Sequence, residues 1–156
     1  DDRLELCKEI LEEAIVKGVN IYLPEDSISA SAFSNDADQK VEQSNAISDG
    51  YMGLDIGPRS IKKFQEIIRN ARTVVWNGPM GVFEFDRFSN GTRKIMDAVI
   101  EMTDKGGISV VGGGDTATCC KKFNIEHKIS HISTGGGARL ELLEGNMLPG
   151  VKFLIK

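Results

Sequence analysis

Gly112-Gly113-Gly114-Asp115-Thr116-Ala117 is the stretch of this 156-residue sequence whose residue types speak most directly of chemistry. It follows a β-branched run, Ile108-Ser109-Val110-Val111, and leads into a short predicted helix ending near Phe123. Glycines at such a turn let the backbone approach a phosphate. The helix start behind them offers free N–H groups with partial positive charge. The segment fits G-x-G-x-x-A, but as a dinucleotide fingerprint it is incomplete. The acid expected about 20 residues further on, to hold a ribose hydroxyl, is replaced by Ser133 and Thr134. A Walker A loop is excluded, because no Gly-Lys dipeptide occurs. A second run, Thr134-Gly135-Gly136-Gly137, follows another β-branched stretch. Tight strand-to-helix turns alone would explain one triple glycine better than two at successive strand ends.

Trp76-Asn77-Gly78-Pro79-Met80-Gly81-Val82-Phe83-Glu84 leaves a strand in the same manner. Its Gly-Pro-x-Gly makes a rigid loop, and Glu84 closes an apolar stretch with a carboxylate suited to a pair of ribose hydroxyls. The plain alternative is a surface Glu after a turn. In open α/β sheets, ligands sit outside the carboxyl ends of the strands, where all these segments fall. Asp115 has two compatible readings, a helix N-cap and a metal contact. Lys62-Lys63 and Lys121-Lys122 read as solvated helix faces. His127 and His131 have no evident partner and read as structural. Cys7, Cys119 and Cys120 form no C-x-x-C pair, which argues against structural zinc and a disulfide framework. Reduced, partly buried thiols in a cytoplasmic protein are expected instead.

These segments need elements to hold them. Leu4, Cys7, Ile10, Leu11, Ala14 and Ile15 recur at helical spacing, and Lys17-Gly18 closes that helix. Val19-Asn20-Ile21-Tyr22-Leu23 reads as a strand stopped by Pro24. Residues 25–52 are polar, and too long for a simple connection, so a substructured or functional loop is expected. Pro58 opens a helix with Ile61, Phe64, Ile67 and Ile68 on its apolar face. Thr73-Val74-Val75-Trp76 is a strand. Ser89 is the expected N-cap of a helix carrying Ile95, Met96, Val99 and Ile100, which ends at Lys105-Gly106. Lys128-Ile129-Ser130-His131-Ile132 is the next strand after Ile108–Val111, with a final helix through Leu140, Leu142 and Leu143. Strands alternating with helices predict a doubly wound, parallel α/β sheet with helices on both faces.

The composition agrees with one globular domain: 40% of residues are apolar and 27% charged. The net charge of −4 and sequence pI near 5.2 make a poor binder of a nucleic-acid phosphate backbone. No apolar run approaches the roughly 20 residues that a membrane helix needs. Position 1 is Asp rather than Met, so a longer parent chain is expected.

Taken together, Trp76 to Glu84, Gly112 to Thr118 and Ser133-Thr134-Gly135-Gly136-Gly137-Ala138 resemble phosphoglycerate kinase. Gly53-Leu54-Asp55-Ile56-Gly57-Pro58, Leu140 to Gly145 and Leu148-Pro149-Gly150 support the resemblance, which runs in order along nearly the whole chain. It implies that residues 1–156 are the later part of the C-terminal nucleotide-binding domain, Rossmann-like and incomplete. The front of that domain and the whole N-terminal domain would be absent. It further implies an apolar adenine slot between Gly53 and Leu54 on one side and Gly78, Met80 and Phe83 on the other. Glu84 would hold the ribose, Asp115 the magnesium of bound ADP or ATP, and Thr116 would neighbour a phosphate. Gly112, Gly113 and Gly114 would face the transferring phosphoryl group, with Gly135 to Gly137 lining the same cleft.

The reaction implied is reversible phosphoryl transfer from 1,3-bisphosphoglycerate to Mg-ADP, giving 3-phosphoglycerate and ATP. The lysines for the nucleotide phosphates and the arginine-rich triose site would both precede Asp1. The 156 residues alone are thus expected to be inactive and to associate through an open sheet edge, whereas the parent enzyme is expected to be monomeric. A non-catalytic adenine-nucleotide or interaction module is the alternative.

Overall fold

The computed structural model describes residues 3–133, 141, 143–147 and 152. Its first helix, α1 (Leu4–Val16), stops where the sequence predicts. Gly18 follows the cap residue Lys17 with φ of 65°, and the Gly18 and Val19 N–H groups donate to the Ile15 and Ala14 carbonyls at 3.1 and 2.8 Å. No residue of α1 is buried, so its apolar stripe of Leu4, Ile10 and Leu11 stays in solvent.

The strand expected at Val19–Leu23 is overturned. Those residues join no sheet, and Val19, Ile21, Tyr22 and Leu23 are exposed. A β-branched run becomes a strand only where a neighbouring ladder takes up its N–H and C=O groups, and no described strand lies against this one. The polar segment after Pro24 is the one that pairs. β1 (Asp26–Ala30), β2 (Gln39–Gln43) and β3 (Met52–Ile56) form an antiparallel sheet in the order β2-β1-β3. The β1–β2 register runs from Asp26 opposite Gln43 to Ala30 opposite Gln39, while the β1–β3 register shifts between Ile28 and Ser29. Ala30, Ala37, Leu54 and Phe88 make its small core.

Two buried aspartates tie this sheet to the helices. α2 (Pro58–Arg69) starts on Pro58, at a position where a missing N–H costs nothing. Its remaining free donors are met by Asp26 of β1. The carboxylate accepts the Arg59 N–H at 3.0 Å, the Ser60 N–H at 2.8 Å and the Ser60 hydroxyl at 2.7 Å. Burial alone would raise the pKa of Asp26. The Ser60 hydroxyl and N–H, then the Arg59 N–H and charge, bring it below the ordinary aspartate value.

α3 (Asn90–Asp104) is met in the same way by Asp55 of β3, which accepts the Gly91 N–H at 2.7 Å. Ser89 does occupy the N-cap position, as expected, but forms no side-chain cap bond. Its hydroxyl donates to the Asp86 carbonyl at 2.9 Å. A carboxylate is the stronger acceptor for helix-start N–H groups and supplants the hydroxyl.

Burial pushes the Asp55 carboxyl up to about 6, only partly offset by the Gly91 and Ile56 N–H groups. The folded value lies above the reference value of 3.8, so the cost of burying its charge is complete above about pH 6. That cost is relieved as pH falls through 6 towards 4. Wild type is therefore expected to gain about 1 kcal/mol over Asp55→Asn between about pH 7.5 and about pH 5. Urea unfolding of both proteins at the two pH values measures this, and a pH-independent gap would show an ordinary carboxyl.

β4 (Thr73–Asn77), β5 (Ile108–Gly112) and β6 (His131–Ser133) form a parallel sheet in sequence order. α3 crosses from β4 to β5, and α4 (Gly114–Lys122) from β5 to β6, as parallel neighbours require. This is the expected α/β architecture. The last strand begins later than predicted, because Glu126–Lys128 close a 3-10 turn first. Trp76, Phe83, Ile95, Val99, Val111 and Cys119 lie in one core, with Phe64 and Ile68 of α2 packed against it. Burial pushes the Cys119 thiol up to about 12 and Cys120 to about 11, which keeps both protonated and unreactive. Among the described residues, β4 and β6 are the edges of this sheet. The Gly135–Gly137 run, and the helix expected through Leu140 and Leu142, lie outside the described residues.

Candidate functional site

The register of the parallel sheet sets the site. Asn77 of β4 lies opposite Gly112 of β5, and Gly112 lies opposite Ser133 of β6. β4 and β5 thus end in one row, and the segments that leave these two strands start from the same edge, with Ser133 of β6 level with them. β5 turns into α4 through Gly113, the N-cap residue, at φ 84° and ψ 144°. That left-handed backbone favours glycine. A Cβ there would also stand 2.7 Å from the Asn77 Oδ1. At Gly114 a Cβ would meet nothing within 4 Å, so the first turn of α4 opens onto free space. The N–H groups of a helix's first turn and the helix dipole favour an anion there.

Asp115 sits in the first turn of α4, exposed, and its carboxylate makes no hydrogen bond or ion pair among the described residues. It does not cap the helix, since Gly113 holds that position without a side-chain bond. A free carboxylate beside an anion-favouring helix start is suited to a divalent cation carried by phosphates. Magnesium commonly takes one or two protein carboxylates and completes its shell with phosphate and water. No cluster of three or more metal-binding side chains occurs among the described residues, so the nucleotide would have to supply most ligands. Asp115 fits that limited role.

Thr116, expected beside a phosphate, has its side chain turned to the 78–84 loop. It is fully buried, and its Oγ1 accepts the Gly78 N–H at 2.7 Å. Thr116 therefore fixes the 78–84 loop to α4. The rest of that loop is held as firmly. The Trp76 indole donates to the Gly78 carbonyl at 2.7 Å, and the Met80 N–H to the Thr92 hydroxyl at 3.1 Å. The Val82 N–H reaches the Leu54 carbonyl at 2.8 Å. Lys122, read from sequence as solvated, donates to the Phe83 carbonyl at 2.9 Å. Lys63 likewise pairs with Glu25 at 2.7 Å.

The loop separates two open clefts. One, of about 320 Å³, brings Gly53, Leu54 and Met80 together. The other, of about 410 Å³, brings Phe83, Glu84 and Asp115 together. Pro79, Gly81 and Val82 line both. Leu54 and Phe83 are nearly buried, so each offers only an edge, whereas Gly53 and Glu84 are exposed. Phe33 and Phe85 also line the second cleft, with ring centroids 5.1 Å apart. Sequence reasoning missed Phe33; the signal was a phenylalanine in the polar 25–52 stretch, whose other aromatic is Tyr51. His127 and His131 are exposed and lie outside both clefts.

A parallel α/β unit whose strand ends, glycine turn and helix N-terminus share one edge defines the class of phosphate-facing α/β proteins. The phosphoglycerate kinase family model matches residues 1–146. The chain is 52% identical over 151 residues to the phosphoglycerate kinase of Schistosoma mansoni, covering 96% of this chain and 36% of that protein. It is 50% identical over 154 residues to a cytosolic phosphoglycerate kinase of Arabidopsis thaliana, covering 99% and 38%. The solved phosphoglycerate kinase of Coxiella burnetii superposes with a TM-score of 0.91 at 40% identity, covering 99% of this chain and 39% of that one. This chain belongs to the phosphoglycerate kinase family. It spans about 36–38% of the length of these curated relatives.

Proposed function

We propose that residues 1–156 are part of the nucleotide-binding domain of a phosphoglycerate kinase, binding Mg-ADP or Mg-ATP across the clefts beside the 78–84 loop. The observation that carries this reading is the common row of Asn77, Gly112 and Ser133, with the open first turn of α4 behind it. Adenine lies against Gly53, Leu54 and Met80, with Gly78 and Phe83 belonging to the loop that separates the clefts, and Glu84 on the loop's other side takes the ribose. The phosphates face Gly112, Gly113 and Gly114, with Thr116 beside them through its backbone. Bound magnesium supplies charge neutralisation for the transferring group, and Asp115 holds it.

In the full-length polypeptide the reaction is reversible phosphoryl transfer between 1,3-bisphosphoglycerate and Mg-ADP, a glycolytic step in the cytoplasm. No described helix is long and apolar enough to cross a membrane. The triose acid is held by a separate domain, and no nucleic acid is bound. Phosphoryl transfer needs cations as well as dipoles around the phosphates. No cationic side chain lines the two clefts.

Titration of Mg-ADP followed by backbone NMR tests the binding reading. Shifts are expected at 53–54, 78–84 and 112–116. Shifts confined to residues 1–20 would overturn it, and absence of saturable binding would favour an interaction module. The 156-residue chain alone is expected to show no turnover in a coupled assay and to associate through the β4 edge, where Val75 is exposed. Turnover by a 17.0 kDa monomer would show that the essential cations lie within it.

A further inference from the structure

We infer that Asp55 is the positioning residue of the adenine side of the site, a buried post on which β3, the 78–84 loop and the start of α3 converge. Four observations meet at this carboxylate. One oxygen accepts the Ile56 N–H at 2.9 Å, within β3 itself. The other accepts the Gly91 N–H at 2.7 Å, at the start of α3. A Cβ on Gly91 would stand 2.2 Å from the carboxylate, so the helix start rests directly on it. A Cβ on Gly81 would clash with the Oδ1 that accepts the Ile56 N–H, so the loop rests on the carboxylate too.

The two neighbouring contacts carry this position to the site. Leu54, next to Asp55, accepts the Val82 N–H at 2.8 Å. Thr92, next to Gly91, accepts the Met80 N–H at 3.1 Å. Gly53 and Leu54 on one side of the cleft, and Met80 on the other, thus keep their spacing through one side chain. Asp55, 5% exposed, reaches the wall of that cleft only by an edge. It acts through the loop.

The charged groups on the elements around it turn elsewhere. Asp26 of β1 bonds Ser60 and Arg59. Arg93 of α3 bonds the Ser89 hydroxyl and lies over the Phe123 ring. Asp86, before α3, faces Lys122 and Arg93. Glu84 of the loop is exposed. Among the described residues Asp55 is therefore buried without a cationic partner, and burial is the main influence on its carboxyl. Protonation relieves the cost of burying the charge, so the chain stays folded, but it weakens the bonds to Gly91 and Ile56 and so loosens the loop they hold.

This inference rests on the proposed adenine reading, and adenosine is the probe that separates the two. Adenosine carries no phosphate, so its own titration does not intrude near neutral pH. In the full-length polypeptide, calorimetric titration should show wild type binding adenosine, with Asp55→Asn binding about tenfold more weakly. The same variant should raise KM for Mg-ADP severalfold while kcat at saturating nucleotide changes less than about twofold. Wild type alone should lose adenosine affinity severalfold between about pH 7.5 and about pH 5.5, centred near 6. That arm stands if the variant does not fold. Equal adenosine affinity in variant and wild type, a loss of kcat with KM unchanged, or a flat wild-type pH profile would each overturn the positioning role. Wild type that ignores adenosine altogether would overturn the adenine reading itself.

Discussion

Replacing Asp115 with alanine in the full-length polypeptide is expected to lower kcat by about 100-fold or more. Stability should fall by less than about 1 kcal/mol. The first expectation follows from charge. Phosphoryl transfer proceeds through a transition state whose charge is spread over oxygens and met by metal and dipoles, and Asp115 is the carboxylate proposed to hold that metal. The second follows from geometry. Asp115 does not cap α4, and its carboxylate bonds no described neighbour. Its remaining structural worth is the attraction of a first-turn acid to the helix dipole, about 0.3–1 kcal/mol. Steady-state kinetics at saturating Mg-ADP, set beside thermal melts, separates the two. Near-normal turnover with a clearly lowered melting temperature would return Asp115 to a structural role.

What could be read in the sequence was what local chemistry determines. α2, α3, β4 and β5 follow from apolar spacing over a few turns or a few residues; α2 starts on Pro58 as expected, and the other three lie within a residue or two of their expected bounds. The glycine turn was legible because only glycine tolerates φ of 84° beside Asn77. What escaped was non-local. Gln39–Gln43 carries a single apolar residue, Val41, so nothing in it announces a strand; it is one because β1 aligns with it. Val19–Leu23 has the better strand composition and no described partner.

The candidate site divides in the same way. Residues at the ends of strands could be placed by their glycine and proline content. Residues that hold the loop could not, because Thr116, Thr92 and Lys122 show their roles only when α3 and α4 pack beside it. Lys122 on its helix looks like any solvated lysine until the Phe83 carbonyl is brought within reach. The caps of α2 and α3 escaped for the same reason: their carboxylates come from strands 33 to 36 residues earlier in sequence.

The cap on α2 carries the largest stability effect expected in the molecule. Asp26→Ala should destabilise by about 3 kcal/mol at neutral pH. Asp26 is 1% exposed, and its carboxylate meets two N–H groups and one hydroxyl. Alanine would leave the Arg59 and Ser60 N–H groups at a helix start without an acceptor, and open a gap against Gly57. Ser60 does not make up the loss. Its hydroxyl also serves β1, accepting the Glu25 and Asp26 N–H groups at 2.8 and 3.0 Å. Asp26→Asn keeps one acceptor oxygen and turns an amide donor towards a second donor, so it should cost about half as much. The pH dependence has a fixed sign. The folded pKa of Asp26 lies below its reference value of 3.8, so its stabilisation is present above about pH 4 and disappears as pH falls further. The gap between wild type and Asp26→Ala should therefore narrow in acid. Urea unfolding at about pH 7 and about pH 3.5 measures it. A gap under about 1 kcal/mol at neutral pH would mean that water caps α2 as well as Asp26 does.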